Sequence, residues 1–269
     1  ETLLDRGYRY AFISNSDNLG AVVDETILGH FVTEKLPFMA EVADRSEADK
    51  KGGHLARRRD GRLILRELAQ CPPEDEGHFQ DVAKHRYFNT NTLWIDLPTL
   101  QRTMAERDGL LGLDLIRNRK TVDPRDRISP PVYQLETAMG SAIAVFPGAG
   151  ALRVPKTRFA PIKKTNDLLD VRSDDYVLRE RYQVVPNPQR DLPRAVIELD
   201  PRHYRFVDFL EARFPAGAPG LLTCSRLKIY GAFKFGRNVV LSGDVTLTNE
   251  TEDQMMIPDG ARISGVWPL

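Results

Sequence analysis

The chain has 269 residues, enough for one large domain and a smaller one, with 38 basic against 38 acidic side chains and no formal net charge. That balance gives no general attraction to nucleic acid or to an anionic membrane, so any anion must be bound by local groups. No apolar run approaches membrane-spanning length and no signal-peptide pattern opens the chain. The two cysteines, Cys71 and Cys224, fit no Cys-x-x-Cys pattern and read as free thiols in a reducing cytosol.

Residues 8–13 suit a buried strand, and Ala21, Val22, Ile27, Leu28 and Phe31 recur at helical spacing. The polar run Asn15-Ser16-Asp17-Asn18 therefore lies where a strand ends and a helix begins, the edge at which open α/β sheets bind ligands. A lone acid there, Asp17, suits either a helix N-cap or a ligand to a divalent cation. Asp24 reads as lying inside the helix, structural or solvated. Residues 36–42 and 63–65 read as strands, the latter after an Asp60-Gly61 pair suited to a hairpin turn. Lys50, Lys51, Arg57, Arg58 and Arg59 read as a solvated basic turn, although Gly52 and Gly53 permit close backbone approach to a ligand.

Residues 74–84 read as a short polar helix or turn, 88–97 as a strand and 97–110 as a helix. Residues 118–131 read as a charged surface loop, and 135–146 as an Ala-rich helix with Leu135, Ala138, Ala142 and Val145 on its apolar face. A proline-rich stretch follows, with a helical segment around Phe206-Val207-Asp208-Phe209-Leu210. Beyond it Leu227, Ile229, Phe233, Phe235, Val239, Leu241, Val245 and Leu247 alternate with small or polar residues, punctuated by Gly231, Gly236 and Gly243. That is the periodicity of short strands in hexapeptide-type β-helices.

Six blocks stand along the chain: Asn15-Ser16-Asp17-Asn18-Leu19-Gly20-Ala21-Val22-Val23-Asp24, Lys51-Gly52-Gly53, Glu67-Leu68-Ala69-Gln70-Cys71-Pro72, Phe88-Asn89-Thr90-Asn91-Thr92-Leu93-Trp94, Gln134-Leu135-Glu136-Thr137-Ala138 and Val154-Pro155-Lys156-Thr157-Arg158-Phe159-Ala160-Pro161-Ile162-Lys163. On these the chain resembles the eukaryotic-type UTP–glucose-1-phosphate uridylyltransferases, or UDP-glucose pyrophosphorylases, from residue 8 almost to the C-terminus. The resemblance implies an α/β fold: a Rossmann-like (GT-A-like) mixed sheet over residues 1–180, a Pro-rich connector with a helix over 181–220, and a small C-terminal left-handed β-helix over 221–269. It implies Mg2+-dependent transfer of uridylyl from UTP to glucose 1-phosphate, giving UDP-glucose and pyrophosphate. Such transfers depend on positioning and charge neutralisation more than on acid–base chemistry.

Residue by residue, the resemblance makes Asp17 the metal ligand and Lys163 the phosphate clamp, with Lys164 standing where the family has a small hydroxyl residue. Adjacent side chains on an extended segment point opposite ways, so only one lysine is expected to face the phosphates. The sugar pocket is expected from Glu67, Phe88, Asn89, Asn91 and the backbone at Gly52, with Asn15 donating to a phosphate or sugar oxygen. Asn89 and Asn91, two apart on a strand, are expected on one face. Trp94 and Leu93 read as core.

The family's Gly-rich nucleotide loop has no counterpart here. The expectation is an N-terminally truncated chain that alone binds product weakly and turns over nothing. Two alternatives stay open: a pyrophosphorylase for another UDP-sugar or a UDP-N-acetylhexosamine, and a non-catalytic sugar-nucleotide binding module. His30, His54, His78, His85 and His203 show no metal-site spacing and no Gly-x-Ser-x-Gly elbow occurs, which argues against zinc chemistry and serine hydrolysis. Expected partners are UTP, glucose 1-phosphate and UDP-glucose, without nucleic acid or membrane, in the cytoplasm. Association through the C-terminal domain is not favoured, because little chain follows Ile263.

Overall fold

The computed structural model describes residues 2–126 and 128–268; Glu1 and Leu269, the ends of the two outer expected domains, lie outside the described residues. The chain forms two compact units, Glu1–Ser16 with Ala21–Phe159, and Asp17–Gly20 with Ala160–Leu269.

The first unit is a mixed sheet flanked by short helices. Helix α1 (Thr2–Asp5) precedes β1 (Tyr10–Ile13), and α2 (Glu25–Thr33) follows after a loop. Asp24 is not inside that helix but caps it, its Oδ1 accepting from the amides of Thr26 and Ile27 at 2.8 and 3.2 Å. Asp, with a short acceptor side chain, is favoured at this position because it satisfies amides that the first turn leaves open. Strand β2 (Phe38–Asp44) is buried along six of its seven residues. Its near-continuous apolar run suits a strand covered on both faces. A hairpin of β3 (His54–Arg57) and β4 (Leu63–Arg66) follows, then α3 (Glu76–Phe79) and the long β5 (Tyr87–Asp96). Helix α4 (Leu97–Ala105) starts at an Asp96 cap with Pro98 in its first turn.

The next segment departs from expectation. Residues 118–131 are not simply a loop, and 135–146 are not a helix. Strands β6 (Leu115–Thr121) and β7 (Pro131–Thr137) pair antiparallel over seven residues each, and a 3₁₀ segment, Met139–Ala144, comes after. Leu135 is 59 % exposed on β7 and anchors no helix face. Two causes are visible. The helical spacing runs through Gly140, a residue that disfavours a helix interior by about 1 kcal/mol. A Cβ there would lie 2.7 Å from Asn89 Nδ2 and 2.8 Å from Leu65 Cδ2, so the glycine lets both side chains close over it. The strand alternation of 115–121 is hidden by its charges. Strand β8 (Gly150–Arg153) then completes the sheet.

The sheet order is β4-β3-β5-β2-β8, with β1 also pairing β5. Only the β2–β8 pairing is parallel. Phe38, Leu93, Ile143 and Phe146 pack on one side; Phe31, Met39 and Trp94 pack in a second cluster. Trp94 and Leu93 are core, as expected.

The second unit holds α5 (Thr165–Val171), the β9 (Tyr176–Leu178) and β10 (Val184–Pro186) ribbon, β11 (Val196–Leu199), α6 (Pro201–Tyr204) and α7 (Val207–Arg213). Then come β12 (Gly220–Tyr230), β13 (Phe233–Phe235), β14 (Val240–Thr248), β15 (Met255–Ile257) and β16 (Arg262–Pro268). Strands β11, β12, β14 and β16 form one parallel ladder, and β13 and β15 a second. The register stacks Leu227 on Val245, Ile229 on Leu247 and Leu241 on Ile263. All eight apolar residues singled out between 227 and 247 are at most 2 % exposed. Gly231 turns the chain with φ +83°, where a side chain would collide with the Asn249 carbonyl. Among the described residues no helix is long and apolar enough to cross a membrane.

Candidate functional site

In the second unit the segments 17–20 and 160–163 are laced by backbone bonds. The Leu19 amide donates to the Ala160 carbonyl at 3.2 Å and the Ile162 amide to the Asp17 carbonyl at 2.9 Å. Asn18, 4 % exposed, accepts on Oδ1 from the amides of Ala160 and Gly20 at 2.8 and 3.2 Å. This lacing sets the register so that Lys163 Nζ donates to Asp17 Oδ2. The two side chains are 60 % and 28 % exposed, a pair open to solvent rather than sealed in the core. Asp17 Oδ1 has no partner among the described residues. Lys164 follows in extended conformation, φ −136° and ψ 166°. Asp167 in the first turn of α5 accepts on Oδ2 from the amides of both Lys163 and Lys164 at 2.9 Å, which fixes where the pair of lysines leaves the loop.

In the first unit the expected sugar-side residues cluster around β5. The Asn89 amide donates to the Gly53 carbonyl at 2.8 Å, and Asn89 Oδ1 accepts from the Asn91 amide at 3.1 Å. Asn91 Nδ2 donates to Asn15 Oδ1 at 2.7 Å. Simple alternation does not place Asn89 and Asn91. The register jumps from Glu41↔Thr92 to Val42↔Asn89, so Thr90 and Asn91 form a bulge, and Asn91 takes the left-handed φ of +57°. Bulges of this kind re-aim side chains, and an Asn tolerates the conformation better than most residues.

Glu67, at the start of the 3₁₀ segment Leu68–Gln70, lies against Gly53 so closely that a Cβ there would overlap its carboxylate. Burial raises the Glu67 carboxyl above its ordinary value. Phe88 is 3 % exposed and packs edge-to-face on Phe159, centroids 4.8 Å apart. Gly52 sits in a turn organised by Arg45, whose guanidinium donates to the carbonyls of Lys50, Gly52 and, at 2.9 Å, Phe79. Arg45 also contacts His54 Nδ1 at 3.3 Å. Burial, with His85, Arg45 and Arg66 nearby, holds His54 down to about 3, so it serves here as a neutral packing group.

A family model described as UTP–glucose-1-phosphate uridylyltransferase matches residues 1–242. The chain belongs to this family. The UTP–glucose-1-phosphate uridylyltransferase of Hordeum vulgare is 41 % identical over 262 residues, covering 97 % of this chain and 53 % of that protein. Among solved structures, a mutant of UDP-glucose pyrophosphorylase from Leishmania major superposes with a TM-score of 0.85 at 45 % identity, covering 98 % of this chain and 58 % of that one. A second mutant of the same enzyme, solved in complex with UDP-glucose, gives 0.82 at 45 % identity with the same coverages. The chain thus spans about half the length of the curated relatives it matches.

In this uridylyltransferase-family chain the supporting residues escaped the sequence reading. Asn18, one residue of a polar run in the sequence, laces the loop that carries Asp17. Arg45, Gly140 and Asp167 each fix a backbone or side chain of the cluster they adjoin. Glu41 and Arg158 form a buried ion pair beneath the first-unit cluster. One signal was available: an acid in the middle of an apolar strand, Glu41, requires a buried partner.

Proposed function

We propose that the complete protein makes UDP-glucose and pyrophosphate from UTP and glucose 1-phosphate, in a reversible, Mg2+-dependent reaction. The observation that carries this reading is the Asp17–Lys163 pair, a carboxylate and an ammonium from distant segments, held together by paired backbone bonds. In the forward direction an oxygen of glucose 1-phosphate attacks the α-phosphorus of UTP in line, and the bond to the β-phosphate oxygen breaks with pyrophosphate leaving. Lys163 provides a point charge between the α-phosphate and the incoming phosphate, where repulsion peaks. Asp17, with one oxygen on Lys163 and the other without a described partner, fits the single carboxylate that a magnesium ion needs when phosphates and water fill its other positions. Such an ion, when bound, neutralises charge on the phosphate oxygens.

On the sugar side, Glu67 accepts from hydroxyls, Asn89 and Asn91 offer donors and acceptors, Asn15 fixes the Asn91 amide, Gly52 presents backbone and Phe88 backs the pocket. The reading includes a Rossmann-like nucleotidyltransferase sheet over residues 1–180, a connector over 181–220 and a left-handed β-helix over 221–269. The parallel ladders of the second unit support the last of these. It also includes a cytoplasmic location, to which two free thiols are suited.

The test is uridylyl transfer by the complete protein, wild type against Glu67→Gln. The variant is expected to raise KM for glucose 1-phosphate by roughly 5- to 150-fold, the worth of ~1–3 kcal/mol for a buried hydroxyl partner, and to leave KM for UTP nearly unchanged. Equal losses for both substrates, or no transfer to glucose 1-phosphate by the wild type, would overturn the reading.

A further inference from the structure

His54 does more than pack. It opens β3, directly after Gly52-Gly53, and is fully buried against two rings: His85, stacked with centroids 4.0 Å apart, and Phe79 at 4.5 Å. These rings restrict the plane of the imidazole, and its Nδ1 lies 3.3 Å from Arg45 Nη1. A guanidinium has donors only, so this contact is a hydrogen bond only when Nδ1 carries a lone pair. His54 is therefore neutral with its proton on Nε2, because the partner at one ring nitrogen sets the state of the other. Nε2 is buried with no partner among the described residues. A buried N–H left unpaired is uncommon, and here it accompanies the acceptor at Nδ1.

That acceptor completes a set. Arg45, 8 % exposed, directly follows β2, and a guanidinium carries five N–H groups. Nε donates to the Asp49 carbonyl at 3.3 Å. Nη2 donates to the carbonyls of Lys50 and, at 3.3 Å, Gly52. Nη1 donates to the Phe79 carbonyl at 2.9 Å and to His54. Four of these five acceptors are backbone carbonyls, which no substitution removes; the fifth is the His54 side chain. Without it a buried, charged N–H loses its partner, which is costly in a poorly solvated site. The turn so held matters to its neighbours. The Gly52 amide donates to the Asp49 carbonyl at 2.8 Å, so residues 49–52 shift together. Next along, the Gly53 carbonyl accepts from the Asn89 amide at 2.8 Å, and the Glu67 carboxylate lies where a Gly53 Cβ would be.

We propose that His54 is a positioning residue for the sugar: its Nδ1 lone pair locks the Arg45 guanidinium onto the 49–52 turn, which seats Gly53 against Glu67 and Asn89. This role rests on the sugar pocket proposed above, whereas the clamp itself stands on contacts within the chain. Burial, with His85, Arg45 and Arg66 adding to it, lowers His54 to about 3, so the acceptor form persists at neutral pH. An imidazolium would aim an N–H at the Arg45 N–H and break the bond.

Two measurements on the complete protein test this. Long-range proton–nitrogen NMR with isotope-labelled histidine, His54 being assigned through its contacts with Phe79, should show Nδ1 bare and Nε2 protonated at neutral pH. The opposite tautomer, or an imidazolium, overturns the proposal whether or not any variant folds. Uridylyl-transfer kinetics then compare His54→Leu, which removes the acceptor, with His54→Asn, whose Oδ1 stands in for Nδ1. In His54→Leu, KM for glucose 1-phosphate should rise about 10-fold, with kcat and KM for UTP within about 3-fold of wild type. In His54→Asn all three should stay within about 3-fold of wild type. Equal losses in both variants would mean lost packing and overturn the positioning role, as would an unchanged KM for glucose 1-phosphate in His54→Leu. A wild type that transfers nothing overturns the uridylyltransferase reading and the positioning role with it, while the tautomer still decides the clamp.

Discussion

Asp17→Asn in the complete protein is expected to lower turnover by about 10³-fold or more while leaving the fold intact. The substitution keeps the shape of the side chain, and the Asp17 carbonyl still accepts from the Ile162 amide. Its ion pair with Lys163 is more than a quarter exposed on the Asp side and over half on the Lys side, and pairs of that kind add little to stability. The loss therefore falls on the charge that would hold the cation, not on packing. Single-turnover rates together with thermal unfolding separate the two. Near-wild-type turnover in a folded Asp17→Asn protein would remove Asp17 from the chemistry.

Glu41→Ala is expected to be the most damaging substitution for stability, by about 3–5 kcal/mol, the usual loss when one partner of a buried ion pair is removed. Glu41 is fully buried, and its carboxylate accepts from Arg158 Nε and Nη2 at 2.7 and 2.8 Å and from the Trp94 indole at 2.9 Å. Truncation leaves the Arg158 charge and the Trp94 N–H buried without this acceptor. Arg158 also donates to the Val22 carbonyl at 2.9 Å, so the chain on either side of the cluster loosens with it. Glu41→Gln, which keeps a carbonyl acceptor, should lose less. Urea unfolding of the two variants checks the order, and wild-type stability in Glu41→Ala would show that the pair contributes nothing net.

The sequence made some of this legible because the relevant signals were local. Alternating apolar residues from Leu227 to Leu247 announced the parallel ladders, since every second side chain had to be buried. Residues 8–13 and 88–97 announced β1 and β5 through β-favouring composition. The roles expected of Asp17 and Lys163 come from a resemblance, but their contact is a finding of the structure, because nothing local to either residue specifies a partner so far along the chain. Three features escaped because tertiary contacts decide them. The 135–146 segment has helical spacing, but β6 pairing and the Asn89 amide against Gly140 override it. The bulge at Thr90-Asn91 is an irregularity of pairing with β2, invisible to a period-two count. The burial of Asp170 and Asp175, at 1 % and 2 % exposed, is set by tertiary packing that no local pattern announces.

The central claim is that Lys163, and not Lys164, acts on the phosphates. It is tested most directly by comparing Lys163→Ala and Lys164→Ala in the complete protein, with single-turnover rates at saturating UTP. Both lysines keep their amide bonds to Asp167 in these variants, so the loop should hold its place. The account predicts that Lys163→Ala slows transfer by about 10²–10³-fold with little change in KM for UTP, while Lys164→Ala stays within a few-fold of wild type. A slow Lys164→Ala beside a near-normal Lys163→Ala, or two near-normal variants, would contradict it.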